Sequence, residues 1–128
     1  MNTYINPAVL HVPAGAYSHI VQVPGDARWT VLSGQIGVRP DGSVPDGIEA
    51  QAEQTYANIK TALGLVGLGL QDVVRLTTYL TDAAFIDSFF RVRARVLGSY
   101  RPASTLLIVG GLMKPEWHIE IDCIAAQS

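Results

Sequence analysis

A chain of 128 residues, 48% apolar and 16% charged, describes a globular protein with enough length for one hydrophobic core. Its formal net charge of −2 gives no global attraction to nucleic acid or anionic lipid. No run approaches roughly 18 uninterrupted apolar residues, and the N-terminus lacks a basic start and an apolar h-region, so neither a transmembrane helix nor a signal peptide is expected. The single cysteine, Cys123, cannot form an internal disulfide, which fits a reducing, cytoplasmic setting. A mean hydropathy of +0.24 without a membrane segment points to a buried subunit interface.

Residues 1 to 16, rich in Pro, Gly, Ala and Asn, read as an extended arm. β-Branched and aromatic residues make Tyr17 to Val23 a strand. Pro24-Gly25-Asp26 turns the chain, and Trp29 to Gly34 returns as the second strand of a hairpin. Ser33-Gly34-Gln35-Ile36 ends that strand, where Gly34 marks a bulge or a place where another group approaches the backbone. After the Pro40-Asp41-Gly42-Ser43 turn, a helix is expected from about Asp46-Gly47 to Leu65. Ile48, Ala52, Thr55, Ile59, Ala62, Leu63 and Val66 form its apolar stripe. Gln51, Gln54, Asn58 and Thr61 lie largely off the stripe, and Gly67 and Gly69 stop the helix.

Val73 to Asp82 alternates, with Val74, Leu76, Thr78 and Leu80 on one face and Arg75, Thr77, Tyr79 and Thr81 on the other; this is an interior strand. The helix before it allows a crossover connection. A second helix from about Ala84 to Leu97 carries Phe85, Phe89, Val92 and Val96 as its core stripe, and Gly98 caps it. Pro102 opens the last two strands, one running to Val109 and one over Trp117 to Cys123. The order β-β-α-β-α-β-β across a single domain, residues 1–128, is of the α+β class: one sheet with both helices on one face. Two helices cannot cover both sheet faces, so an oligomer would bury the second.

The closing stretch carries the densest chemistry. Ser104, Leu106 and Ile108 share one strand face, and Thr105, Leu107 and Val109 the other. His118, Glu120 and Asp122 alternate onto one face of the last strand, where Glu120 can hold or activate water and Asp122 can orient a neighbour. The same patterns also describe plain packing for the first strand and a solvated face for the second. Ser33 has no histidine at motif spacing and does not read as a nucleophile. Cys123 alternates with Ile119 and Ile121 as a buried core thiol. His11 and His19 stand too far apart in sequence for a metal motif, and no metal or other cofactor is expected. Arg91, Arg93, Arg95 and Arg101 supply four of the nine basic residues, with Arg91 and Arg95 on one helix face. With no interleaved aromatics to stack bases, they read as a solvated face paired with Asp87 or a neighbouring subunit, and nucleic acid is not expected.

From about Pro13 to Ala125 the chain resembles the RidA/YjgF family of enamine and imine deaminases, some of whose members have been described as L-PSP ribonucleases. The resemblance is carried by Ser33-Gly34-Gln35-Ile36, by Gln51-Ala52 with Gln54, Asn58 and Lys60, and by Gly67 with Asp72-Val73-Val74. Pro102-Ala103 and Ile119-Glu120-Ile121-Asp122 complete it. It implies a chorismate-mutase-like homotrimer, its sheets packed around a barrel-like core, with a small-molecule cleft at each subunit boundary.

In the family deaminases an arginine directly after the Pro-Ala pair holds the substrate carboxylate, and a glutamate on the last strand positions the attacking water. A tyrosine near the N-terminus and a serine on the second strand complete the wall. Tyr17, Ser33 and Glu120 match these positions. Ser104 stands at the arginine position, Leu106 at that of a cysteine two residues later, and Phe89 at that of an asparagine on the second helix. The chain therefore resembles a branch that lacks the arginine. A guanidinium grips a carboxylate with two charge-assisted hydrogen bonds. Losing such a bond costs roughly 1.5–3 kcal/mol, on the order of a hundredfold in affinity. Arg101 precedes Pro102 and points differently from a residue at 104.

The expected function is binding of a larger or less charged organic molecule at a subunit interface, lined by Tyr17, Ser33, Ser104, Leu106 and Phe89. Hydrolysis of an imine or enamine C–N bond would use water held by Glu120, but not on small 2-imino acids. The alternatives are a non-catalytic ligand-binding or interaction trimer and, further off, RNA cleavage.

Overall fold

The computed structural model describes residues 1–128. Its elements follow one another as β1 (Thr3–Ile5), β2 (Ile20–Gln22), β3 (Arg28–Ile36), α1 (Ile48–Leu65), β4 (Val73–Leu80), α2 (Ile86–Leu97), β5 (Ala103–Ile108) and β6 (Ile119–Gln127). The last strand in sequence lies inside a four-stranded sheet of order β3-β6-β4-β5. It runs antiparallel to both neighbours, whereas β4 and β5 pair in parallel, which the crossover through α2 allows.

Alternation along the strands decides which face is covered. Ile119, Ile121, Cys123 and Ala125 of β6 are buried together with Leu76 and Leu80 of β4. Against them α1 delivers Ala52, Tyr56, Ile59 and Leu63, and α2 delivers Phe89, Val92 and Leu97, in one continuous core. Both helices therefore lie on one face of a mixed α+β sheet. Helix α1 ends at Leu65, where Gly67 (φ 79°) takes the left-handed backbone that a side chain would resist. Gly98 (φ 56°) closes α2 in the same way, its N–H donating to Ala94 O.

Three expectations need correction. The Tyr17–Val23 segment does not form a hairpin with Trp29–Gly34. β2 instead pairs with β1, a strand inside the segment read as an arm, in a separate two-stranded sheet with Thr3 opposite Gln22. The arm is pinned by Asn2 Nδ2 donating to Ala126 O (3.0 Å) and by Asn6 Oδ1 accepting from His19 N (2.8 Å), which hold β1 where it pairs with β2. The last two strands are not neighbours either, because β4 lies between them. On α1, Val66 lies beyond the helix end and is exposed, while Gln51, read as off the buried stripe, is 2% exposed.

Gln51 is buried because it replaces backbone partners. Its Nε2 donates to Pro45 O (3.3 Å) and Glu116 O (3.0 Å), and its Oε1 accepts from His118 N (2.9 Å). Two turns further on, Asn58 Nδ2 donates to Ile36 O (3.0 Å) and Val38 O (2.9 Å). These amides fasten the end of β3 and the start of β6 to α1. Leaving such buried backbone groups unpaired would cost about 1–3 kcal/mol each.

Candidate functional site

The sequence-derived site residues fall into two clusters on opposite faces of the sheet. On the open face, Glu120 sits opposite Tyr79 on one side and Ile36 on the other. The β3–β6 register breaks between Leu32 and Gln35, which places a bulge at Ser33-Gly34. The Glu120 carboxylate lies over Gly34, so that a Cβ there would collide with Oε2. Both readings of Gly34 therefore hold: it is part of a bulge, and another group approaches its backbone. Ser33 is exposed beside it, its carbonyl accepting from Gln35 Nε2 (3.1 Å). Tyr79 OH donates to Asp122 Oδ2 (3.0 Å), and that bond, with the Asp122 charge, holds the phenol above its ordinary pKa. Arg75 Nη2 donates to Thr105 Oγ1 (2.7 Å) on the same face.

On the covered face, at the edge formed by β5, Tyr17, Ser104 and Leu106 line a cavity of about 170 Å³ with Phe90, Arg93, Ala14 and Gly15. The loop carrying Tyr17 is tied down by Ser18 N donating to Pro102 O (3.1 Å). Tyr17 Oη accepts from Ala14 N at 3.4 Å and lies 3.4 Å from His11 Nε2. Ser104 pairs with Leu76 in the β4–β5 register, so its side chain points to the helix side, and its Oγ is buried without a hydrogen-bond partner. Phe89, expected at the ligand, is fully buried in the core and stacked on Tyr56 (6.3 Å between centroids); its neighbour Phe90 reaches the cavity instead.

Arg93 is the residue that sequence reasoning missed. Grouped with Arg91 and Arg95 as a solvated face, it is 6% exposed and lines the cavity. Burial pushes its pKa below the ordinary arginine value. The Tyr56 and Tyr17 hydroxyls work against that, and Arg101 adds to it. The helical period was the available signal: Arg93 lies one residue from Val92 and four from Phe89, on the edge of the buried stripe. Arg95 pairs with Glu49 (3.3 Å) and Glu53 (2.6 Å) of α1 rather than with Asp87, and Arg91 Nη2 donates to Ser88. Arg101 Nη1 donates to Gly98 O (2.6 Å) and Tyr100 O (2.9 Å), closing the end of α2 outside the cavity.

Histidines distant in sequence meet in space. The His11 and His19 rings stand edge to face at 4.7 Å, with Tyr17 against His19, and no third acidic, cysteine or histidine side chain joins them. His118 packs on Phe85 (5.0 Å) rather than beside Glu120. Cys123 is buried, and burial, with Asp122 nearby, pushes its thiol up to about 12.

A family model described as Endoribonuclease L-PSP matches residues 9–127. The chain belongs to this family, the RidA/YjgF proteins. Among RidA/YjgF relatives, it is 33% identical to Protein HMF1 of Saccharomyces cerevisiae over 99% of this chain and 98% of that protein. It is also 33% identical to the 2-iminobutanoate/2-iminopropanoate deaminase of Escherichia coli, over 76% of this chain and 78% of the enzyme. The structure superposes on that of YyfB, a Rid-family protein of Yersinia pestis, with a TM-score of 0.88, 29% identity and 98% coverage of both chains. The mixed α+β architecture with its two helices is the RidA/YjgF fold. No helix of the chain is long and apolar enough to cross a membrane.

Proposed function

We propose that this single-domain, cytoplasmic chain forms a chorismate-mutase-like homotrimer that binds a small organic molecule in a cleft between copies and hydrolyses an imine or enamine C–N bond. The observation that carries the reading is the cavity beside β5, lined by Ser104, whose buried hydroxyl has no partner, and by Arg93, which makes no ion pair in the chain. Pockets of this kind, apolar with a few converging polar groups, are the usual form of small-molecule sites. The exposed Trp29, Val31 and Leu107 on the open sheet face support assembly of copies. Glu120 and the cavity lie on opposite faces of one sheet, so a shared site draws Glu120 from a neighbouring copy.

The reaction needs little machinery. Water held by the Glu120 carboxylate adds to the imine carbon as its proton passes to the carboxylate. The proton is relayed to nitrogen, and the resulting carbinolamine collapses to a carbonyl compound and ammonia. An enamine first takes a proton on carbon to become the iminium. Ser104 in place of an arginine argues for substrates other than small 2-imino acids. The test is ammonia release from a panel of neutral and acidic imines, with Glu120→Gln as control. Release abolished or cut at least about a hundredfold by the substitution supports the reading. Release from no substrate, or release unaffected by the substitution, overturns it.

One observation favours a second reading, a binding trimer without turnover: within a chain, Glu120 stands on the far side of the sheet from the cavity. Ligand-dependent stabilisation with no product would select it. RNA cleavage is disfavoured, because the cations of α2 are already engaged by Glu49, Glu53 and Ser88 or buried.

A further inference from the structure

Arg93 is a buried cation with no counter-charge in its own chain. Both ion pairs of the molecule belong to Arg95. The arginines that donate hydrogen bonds are Arg39, Arg75, Arg91, Arg95 and Arg101. The Arg93 guanidinium carbon stands 4.6 Å from the Phe90 ring centroid and 5.8 Å from that of Phe89. Its Nη2 lies against Gly15, where a Cβ would come within 2.7 Å. This packing fixes the direction of the group without neutralising it. A charge taken out of water is held only at a cost unless something of opposite sign meets it. The Ser104 hydroxyl, a second polar group without a partner, lines the same cavity.

We propose that Arg93 and Ser104 form the anion-binding end of this cavity, and that its ligand is a small carboxylate whose apolar body is about the size of a benzene ring. The proposal rests on the ligand-binding reading above and moves the anion grip from strand β5 to helix α2. A guanidinium offers paired N–H groups that match the two oxygens of a carboxylate, and the serine hydroxyl donates to one of them. Phe90, Leu106 and Ala14 supply apolar walls for the rest of the molecule. The volume of about 170 Å³ is close to the roughly 150 Å³ of apolar cavities that accept benzene. Phosphate, with a further acceptor oxygen and more charge, would leave acceptors unpaired in this setting.

The test is calorimetric titration of the full chain with benzoate, its neutral isostere benzamide, and inorganic phosphate, on the wild type and on Arg93→Gln, Arg93→Lys and Ser104→Ala. Benzoate is expected to bind at least about tenfold more tightly than either of the others. Arg93→Gln should weaken benzoate about ten- to a hundredfold and leave benzamide unchanged, as loss of a charged hydrogen bond requires. Arg93→Lys should weaken benzoate less, and Ser104→Ala by several-fold. Equal affinities for benzoate and benzamide, or no benzoate binding at all, would overturn the assignment. So would Arg93→Gln protein that keeps wild-type benzoate affinity while its mass falls in light scattering, since the counter-charge would then be a neighbouring copy's carboxylate. If Arg93→Gln does not fold, unchanged benzoate affinity in both Arg93→Lys and Ser104→Ala overturns it equally. Turnover of neutral imines needs no anion grip, so this proposal and the hydrolytic one fail separately.

Discussion

Strand β6 gives two different jobs to alternate residues of one stretch of backbone. Ile119, Ile121, Cys123 and Ala125 are sealed under the helices. Glu120, Asp122 and Ile124 stand on the other face, in the company of Val31, 71% exposed, and Trp29, 55% exposed. A sheet face meant for water is normally polar. This one mixes carboxylates with large exposed hydrophobics, which suits a surface that another copy covers while leaving its acids available. The covered face, by contrast, is a closed core with the cavity at its β5 edge. The pairing of the two teaches why reactive groups belong on β6: the residue on either side of Glu120 is fully buried, so the carboxylate stands on backbone that cannot drift.

The largest expected effect tests the covered face. Ile121→Ala removes a fully buried side chain from the centre of the core and should cost about 2–5 kcal/mol, read from urea or thermal unfolding. Val31→Asp, five positions along the neighbouring strand from Ile36, should leave the secondary structure measured by circular dichroism in place and reduce the mass in solution to that of a single chain. An Ile121→Ala loss below about 1 kcal/mol, or an unchanged mass for Val31→Asp, would break the contrast between the faces.

The covered face was the more legible in sequence because its signal is periodic. The stripes of α1 and α2, the alternation of β4 and the burial of Cys123 all follow from spacing, and the glycines that end the helices follow from backbone geometry. Pairing was less legible. The β-branched and aromatic content of Tyr17 to Val23 identifies a strand, but nothing local says that its partner is Thr3–Ile5 and not Trp29–Gly34. Polar residues that serve buried backbone were also misjudged. Gln51 and Arg93 look like surface side chains by type, yet one answers the unpaired groups of Pro45, Glu116 and His118 and the other fills the cavity edge. Gln51, Gln54 and Asn58 stand at helical spacing, but nothing in that spacing names the backbone groups that Gln51 and Asn58 meet. Glu120 and Ser104 were found individually, but their separation by the sheet follows only from the β4 register shared by both.

An intermediate effect should appear at alkaline pH. The Cys123 thiol is held near 12 in the fold, against an ordinary value of 9.0. Its raised folded value means that the stability it lends is fully present below about 9 and is lost as pH rises toward 12. Above pH 9 the unfolded chain has released the proton and the folded chain has kept it. Stability should therefore fall by up to about 1.4 kcal/mol for each pH unit from this group. Cys123→Ala should flatten that part of the curve, and the wild-type thiol should resist alkylation at pH 9 until the chain is unfolded. Rapid alkylation of the folded protein would mean that the covered face opens.

The smallest effect tests the open face, where solvent screens every interaction. Tyr79 donates to Asp122, and a carboxylate that accepts the phenolic hydrogen favours the neutral phenol. In Asp122→Asn the charge is gone, so the Tyr79 titration, followed by NMR of the ring, should move down toward the ordinary tyrosine value. Glu120→Gln should move it the same way by less, because Glu120 acts on Tyr79 through its charge and not through a hydrogen bond. Tyr79 has a raised folded value, so its contribution is present below the ordinary pKa of 10 and disappears as pH climbs through the folded one. A Tyr79 that already titrates at the ordinary value in the wild type would mean that the Tyr79–Asp122 pair does not form in solution. Glu120 would then lack an ordered neighbour on its own strand face, and positioning of water would fall to residues contributed by another copy.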